Sequence, residues 1–179
     1  CQSCHIPIYA KNASDTPATE ATELHLSCQA GTEHTHTPFH PVLVKANNQV
    51  PVYRYWNRIS DNYLLFDQVY EDPETGTYHK SIPDGAVNDP GSKVYPFKYK
   101  TCDYPLSTES NQLIALDTSV FFATADADAA AIAGLQNMGF NWDDEYQWVT
   151  TDTYQLLNHQ VSPSDDALRC SACHLNSTR

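Results

Sequence analysis

Two pairs of cysteines share the spacing C-x-x-C, and a histidine follows each pair directly. The two segments are Cys1-Gln2-Ser3-Cys4-His5 and Cys170-Ser171-Ala172-Cys173-His174. Two thiols at this spacing can bond both vinyl groups of one porphyrin, and the turn between them directs the next histidine at the iron. A four-cysteine zinc site also uses two such pairs, but it has no use for the repeated histidine. The motifs therefore predict two covalently bound c-type haems per chain, held through Cys1, Cys4, Cys170 and Cys173.

The iron of an electron-transfer haem usually has two axial ligands. We expect His5 and His174 to be the proximal ligands. Because Met138 is the one methionine in the sequence, two methionine-ligated haems are excluded, and bis-histidine ligation with low reduction potentials is the economical interpretation. His159 is the preferred distal candidate, since residues 154–161 look like a short helix before a second helix start at residues 162–165.

The remaining distal ligand is expected among four histidines that lie close together in the sequence. One of these residues is predicted to bind iron: His25, His34, His36 or His40. His79 follows a turn signal and is expected to be an ordinary surface histidine.

The two cysteines outside the motifs bear on the cellular compartment. Attachment of c-type haem is normally completed outside the bacterial cytoplasm, which predicts a periplasmic, extracellular or cell-surface location. In such an oxidising compartment, Cys28 and Cys102 are expected to form a disulfide. Two buried free thiols are the alternative.

The charge balance limits the classes of partner. The chain of 179 residues has 10 Lys plus Arg against 22 Asp plus Glu, for a net charge of -12. An acidic surface repels nucleic acid, so redox proteins with basic surfaces are the expected partners. We expect no membrane span, because no apolar run approaches the ~20 residues that a span requires.

The chain is expected to be a single dihaem domain with three regions. Residues 1–40 are expected to form a loop-rich first haem region, 41–122 a β-rich insert and 123–179 a helical second haem region. Within the insert, residues 50–56 and 93–99 alternate like strands, and residues 64–70 with the turn at 72–76 predict a hairpin. Thr124 is expected to cap a helix that runs to Met138.

Four ordered segments resemble the multihaem cytochromes of the octahaem tetrathionate reductase type. They are residues 1–7 with 9–11, residues 50–57 (Val-Pro-Val-Tyr-Arg-Tyr-Trp-Asn), residues 88–98 (Asn-Asp-Pro-Gly-Ser-Lys-Val-Tyr-Pro-Phe-Lys), and residues 158–161 (Asn-His-Gln-Val) with 167–174, which include the second haem motif. The resemblance implies a mostly irregular multihaem fold, here with a β-rich middle and a few short helices near the C-terminus. It also implies closely spaced haems, a periplasmic redox function and an axial role for His159.

Electron transfer through two haems is the favoured function rather than enzymatic catalysis, and the chain is a candidate repeating unit of a haem chain. The alternative is a fragment or subunit of a multihaem reductase of sulfur or nitrogen oxyanions. Because one motif occupies residues 1–5 and the other residues 170–174, we expect neighbouring chains to pack head to tail. That packing would give a homo-oligomer or a filament.

Overall fold

A computed structural model describes residues 1–11, 22–33, 39–141 and 143–175 of the chain. Within these ranges there are seven strands and four short helices. The strands are β1 (Thr22–Glu33), β2 (Phe39–Ala46), β3 (Val52–Trp56), β4 (Ser60–Asn62), β5 (Tyr78–Pro83), β6 (Lys93–Ser107) and β7 (Tyr146–Leu156). The helices are α1 (Gln2–His5), α2 (Thr118–Thr124), α3 (Ala127–Asn137) and α4 (Cys170–His174).

Strand β6 is central to the sheet because it has neighbours along both edges. Residues 97–107 of β6 run antiparallel to β7. On its other edge, residues 93–97 pair antiparallel with β3, and residues 101–102 pair parallel with β1. Strand β2 extends the sheet beyond β1, while β5 and β4 extend it beyond β7. Strand β6 thus runs from its pairing with β3 to its pairing with β1 at Cys102.

The β-rich, short-helix character of the predicted fold is confirmed, but the sheet is larger than expected. Strand β1 lies in the region expected to be irregular, and β7 lies in the region expected to be helical. Tyr154, expected in a helical stretch, pairs with Tyr99 of β6. A complete ladder with β6 outweighs the weak local helix preference of this segment, because tertiary pairing routinely overrides propensity.

Residues 64–67 of the apolar run 64–70 form a surface turn instead of the predicted strand, while Val69 is buried. The Asp67 N–H donates to the carbonyl of Leu64 at 2.9 Å, and Phe66 has a φ of 76°. The turn at residues 72–76 is present, with the Gly76 N–H donating to the carbonyl of Asp72 at 2.8 Å. The predicted strands at residues 50–56 and 93–99 correspond to β3 and to the first half of β6.

The helix predicted from Thr124 to Met138 corresponds to α3, which begins three residues later, at Ala127, and ends at Asn137, while Thr124 is the last residue of α2. Helix α2 ends at Thr124 because Ala125 takes a left-handed conformation with φ 58°. Helix α3 then begins after Asp126, whose carboxylate accepts the N–H of Ala129 at 2.8 Å. The helix start predicted at residues 162–165 gives a 3-10 turn at Ser164–Asp166, and α4 begins only at Cys170.

Helix α1 is anchored to the sheet by the residues that follow it. Ile6, Tyr9 and Ala10 are buried in one apolar cluster with Leu157, which comes directly after β7. The Tyr53 hydroxyl of β3 donates to the Ile6 carbonyl at 3.1 Å. Burial of these side chains therefore holds the first C-x-x-C-H motif against β3 and the end of β7.

Candidate haem site

Each C-x-x-C-H motif forms a single turn of helix, which explains how its three chemical groups act together. In α1 the His5 N–H donates to the Cys1 carbonyl at 2.9 Å, and the second motif forms α4. Residues three and four positions apart lie on the same face of a helix. Both thiols and the histidine of each motif are thereby presented on one side.

The structure brings the two motifs together although they lie far apart in the sequence. The Leu168 N–H donates to the Cys4 carbonyl at 2.8 Å, and the Ser162 N–H donates to the His5 carbonyl at 2.7 Å. The Ser3 hydroxyl also donates to the Val94 carbonyl of β6. The two motifs lie at opposite ends of the sequence but are neighbours in the fold. The expected head-to-tail packing of neighbouring chains stays a prediction.

A cavity of about 420 Å³, here called the motif cavity, opens between the two helices. Cys4 of the first motif lines it together with three residues of the second, Cys170, Cys173 and His174. Its apolar surface comes from Tyr53, Tyr55, Val94 and Leu168, and its charged groups are Arg54 and Arg169.

The motif side chains have the chemistry that covalent haem attachment requires. The motif cysteines are free and exposed, so their thiols are accessible. Among the described residues, no group of three or more His, Cys, Asp or Glu side chains is arranged to hold a metal ion, so the four thiols are not gathered as in a zinc site. Apolar walls beside exposed thiols suit the face of a porphyrin.

His5 is oriented by a hydrogen bond of the kind found at metal-binding histidines. Its Nδ1 atom lies 2.9 Å from the carbonyl oxygen of Ser162. A carbonyl only accepts, so Nδ1 carries the proton and Nε2 is left with a lone pair. Metal-ligating histidines commonly donate their second ring N–H to such an oxygen. The residues around the first motif therefore fit an axial role for His5.

His159 lies outside the motif cavity. It is an exposed residue after the end of β7, and it lines a separate cavity of about 300 Å³ with Lys98 and Lys100. The structure therefore does not place His159 beside His174. Its assignment as a distal ligand stays a prediction.

The other candidate ligands have different surroundings. His25 uses both ring nitrogens, with Nδ1 2.8 Å from the Thr101 hydroxyl and Nε2 3.3 Å from an Asp103 carboxylate oxygen. His40 is half-buried, with its ring 6.2 Å from that of Phe122. His34 and His36 lie outside the described residues. Because both ring nitrogens of His25 are engaged, His25 is poorly suited to bind iron.

His79 is not the ordinary surface histidine that was expected. Its Nδ1 lies 2.7 Å from a carboxylate oxygen of Asp152 and its Nε2 lies 2.9 Å from one of Asp72. Asp152 is fully buried and also accepts hydrogen bonds from the hydroxyls of Thr77 and Tyr99. This cluster joins β5, β6 and β7 through a buried carboxylate.

Cys28 and Cys102 lie on the neighbouring parallel strands β1 and β6, and both thiols are free in this structure. Burial raises the pKa of the Cys28 thiol, and it raises the pKa of the Cys102 thiol to about 11. The nearby Cys28 thiol acts in the same direction on Cys102. The disulfide between them stays a prediction.

The sequence motifs did not reveal Arg54, Arg169 or Ser162 as site residues. Arg54 interrupts an aromatic strand, and Arg169 directly precedes the second motif. These sequence positions indicate a binding role for the two arginines only weakly. The role of Ser162 depends on its carbonyl group, which no residue type reveals.

One solved structure gives a measure of similarity. The crystal structure of octahaem cytochrome c from Shewanella oneidensis superimposes with a TM-score of 0.76 and 28% sequence identity over 97% of this chain. The chain spans 42% of the length of that protein. No curated protein matches the chain significantly. The similarity confirms the predicted relation to the octahaem cytochromes.

A model of the family described as bacterial cytochrome c matches residues 13–177, which include the second haem motif. None of the helices within the described ranges has the length and apolar character needed to cross a bilayer. Cytochromes of this type bind haem c covalently and transfer electrons through its iron. The chain belongs to the bacterial cytochrome c family.

Proposed function

We propose that the chain binds two haems, one through Cys1 and Cys4 and one through Cys170 and Cys173, and passes electrons between them. His5 and His174 are the proximal iron ligands, and His159 is a distal ligand. The supporting observation is the meeting of Cys4, Cys170 and Cys173 at the motif cavity, since closely spaced haems exchange electrons efficiently.

The hydrogen bonds between the motifs support this proposal further. The Cys4 and His5 carbonyls each accept an N–H from the segment that leads into α4, at 2.8 and 2.7 Å. Two such bonds limit the relative movement of α1 and α4. A pair of haems attached there would keep a constant separation, which electron transfer needs more than it needs a deep pocket around each cofactor.

The proposed location is the periplasm, the extracellular space or the cell surface, and the proposed partners are redox proteins. The four motif cysteines are exposed, so the edges of haems attached to them would face an approaching partner. A second copy of the chain is one such partner. Light scattering of the haem-loaded protein tests that assembly, and a monodisperse 20.0 kDa chain with its haems would contradict it.

Mass spectrometry under denaturing conditions tests the number and positions of the haems. The polypeptide should carry the added mass of two haems. Replacement of Cys170 and Cys173 by serine should remove one, and replacement of Cys1 and Cys4 should remove the other. Cys28→Ser, which alters a cysteine outside the motifs, is the matched control and should keep both haems. A bare wild-type chain, or loss of haem in the control, would contradict the proposal.

A further inference from the structure

Two of the four arginines in the sequence, Arg54 and Arg169, line the motif cavity. Within the described part of the chain, neither guanidinium lies within 4.0 Å of a carboxylate oxygen. In a chain with a net charge of -12, two cations at one cavity without acidic partners form an unusual local concentration of positive charge.

Arg54 is held in place by one aromatic residue. Its guanidinium carbon lies 5.1 Å from the centre of the Tyr154 ring, and its Nη1 donates to the Tyr154 hydroxyl at 3.4 Å. Tyr154 is buried and its ring lies 4.9 Å from that of Tyr99. The position of Arg54 is therefore set by the sheet before any ligand is bound.

A guanidinium without a carboxylate partner is available to an anionic ligand. Guanidinium groups bind carboxylates through two parallel hydrogen bonds. The ligand that fits the cavity thus has an apolar face for Tyr53, Tyr55 and Val94 and carboxylates for the arginines. Haem combines these features, because its porphyrin is apolar and its two propionates are carboxylates.

We propose that Arg54 and Arg169 bind the propionates of the haem attached to Cys170 and Cys173. This inference rests on the proposed function, which places a haem at the motif cavity. It adds two binding residues outside the C-x-x-C-H motif. The two arginines would hold the propionate edge of that haem by paired hydrogen bonds.

Redox titration and resonance Raman spectroscopy of the haem-loaded protein test this pairing. Arg54→Gln should lower one of the two midpoint potentials, because a propionate without its cation favours the ferric state. It should also shift the propionate bending band. Arg54→Lys keeps the charge but lacks the planar fork, so it should restore most of the potential but not the wild-type band. Arg58→Gln, an equal change of charge at an exposed residue outside the cavity, is the matched control.

Arg169→Gln provides a second test at an exposed position, where a loss of folding is not expected. It should shift the same potential as Arg54→Gln. Unchanged potentials and propionate bands in both variants, with two haems attached, would overturn the pairing. Equal shifts in Arg58→Gln would also overturn it, since they would indicate only a long-range change of charge. A wild-type chain without haem on Cys170 and Cys173 would instead contradict the proposed function.

Discussion

The imidazole Nδ1 of His5 lies 2.9 Å from the carbonyl oxygen of Ser162, so its Nε2 is free to face an iron. We predict that His5→Ala converts one haem from low-spin to high-spin, because the iron loses an axial ligand. Optical spectra with and without carbon monoxide measure this, since an open iron binds the gas. His25→Ala is the control, because both nitrogens of His25 are hydrogen-bonded. An unchanged spectrum for His5→Ala would rule out His5 as a ligand.

The position of His159 in a separate cavity makes its replacement informative. We predict that His159→Ala creates a high-spin haem that binds carbon monoxide, if the histidine is a distal ligand as the family resemblance implies. His40→Ala is the comparison, since His40 is the alternative candidate with a half-buried side chain. A spectral change in His40→Ala alone would assign the distal role to His40.

The thiols of Cys28 and Cys102 are predicted to be joined when the protein is isolated from an oxidising compartment. A disulfide that closes the long loop between Cys28 and Cys102 would stabilise the folded state by ~2–4 kcal/mol. Alkylation of the unfolded, unreduced protein followed by mass measurement decides the question. Two alkylated cysteines would contradict the disulfide and would leave the free thiols of this structure as the native state.

A buried carboxylate with three partners should be costly to remove. We predict that Asp152→Ala lowers the free energy of unfolding by about 3–5 kcal/mol, because His79, Thr77 and Tyr99 lose their common acceptor. Denaturant unfolding followed by circular dichroism measures the loss. Asp61→Ala, at an exposed position, should have a small effect. If Asp152→Ala lowered the free energy of unfolding as little as Asp61→Ala, the buried cluster would contribute little to stability.

Stability should fall at alkaline pH through Tyr99. Burial, followed by the charge of Asp152, raises the pKa of Tyr99 from 10.0 to about 12. The folded state therefore retains a proton that the unfolded state releases, and the resulting stabilisation is present below pH 10.0 and is lost as the pH rises through about 12.

Tyr99→Phe removes this ionisation and should reduce the slope of unfolding free energy against pH in that range. Tyr146 also has a raised pKa, of about 12, so part of the slope should remain. Tyr70→Phe, which alters an exposed tyrosine, is the control. Identical slopes for wild type and Tyr99→Phe would contradict the prediction.

Local patterns predicted the features that depend on neighbouring residues. The spacing from Cys170 to His174 marks the haem motif, and the alternation around Val52–Trp56 marks β3, because both signals lie within a few residues. Strand β7 was missed because its main stabilisation is its ladder with β6, whose residues are distant in sequence. The bond between His5 and Ser162 was missed for the same reason.

The contact that orients His5 closes a sequence separation of 157 positions. A contact between such distant residues forms slowly, because chain entropy is lost before the contact stabilises the fold. The ring of His5 therefore has no fixed orientation until the segment around Ser162 has docked against α1. The orientation of this proposed axial ligand should therefore be among the last features of the fold to form.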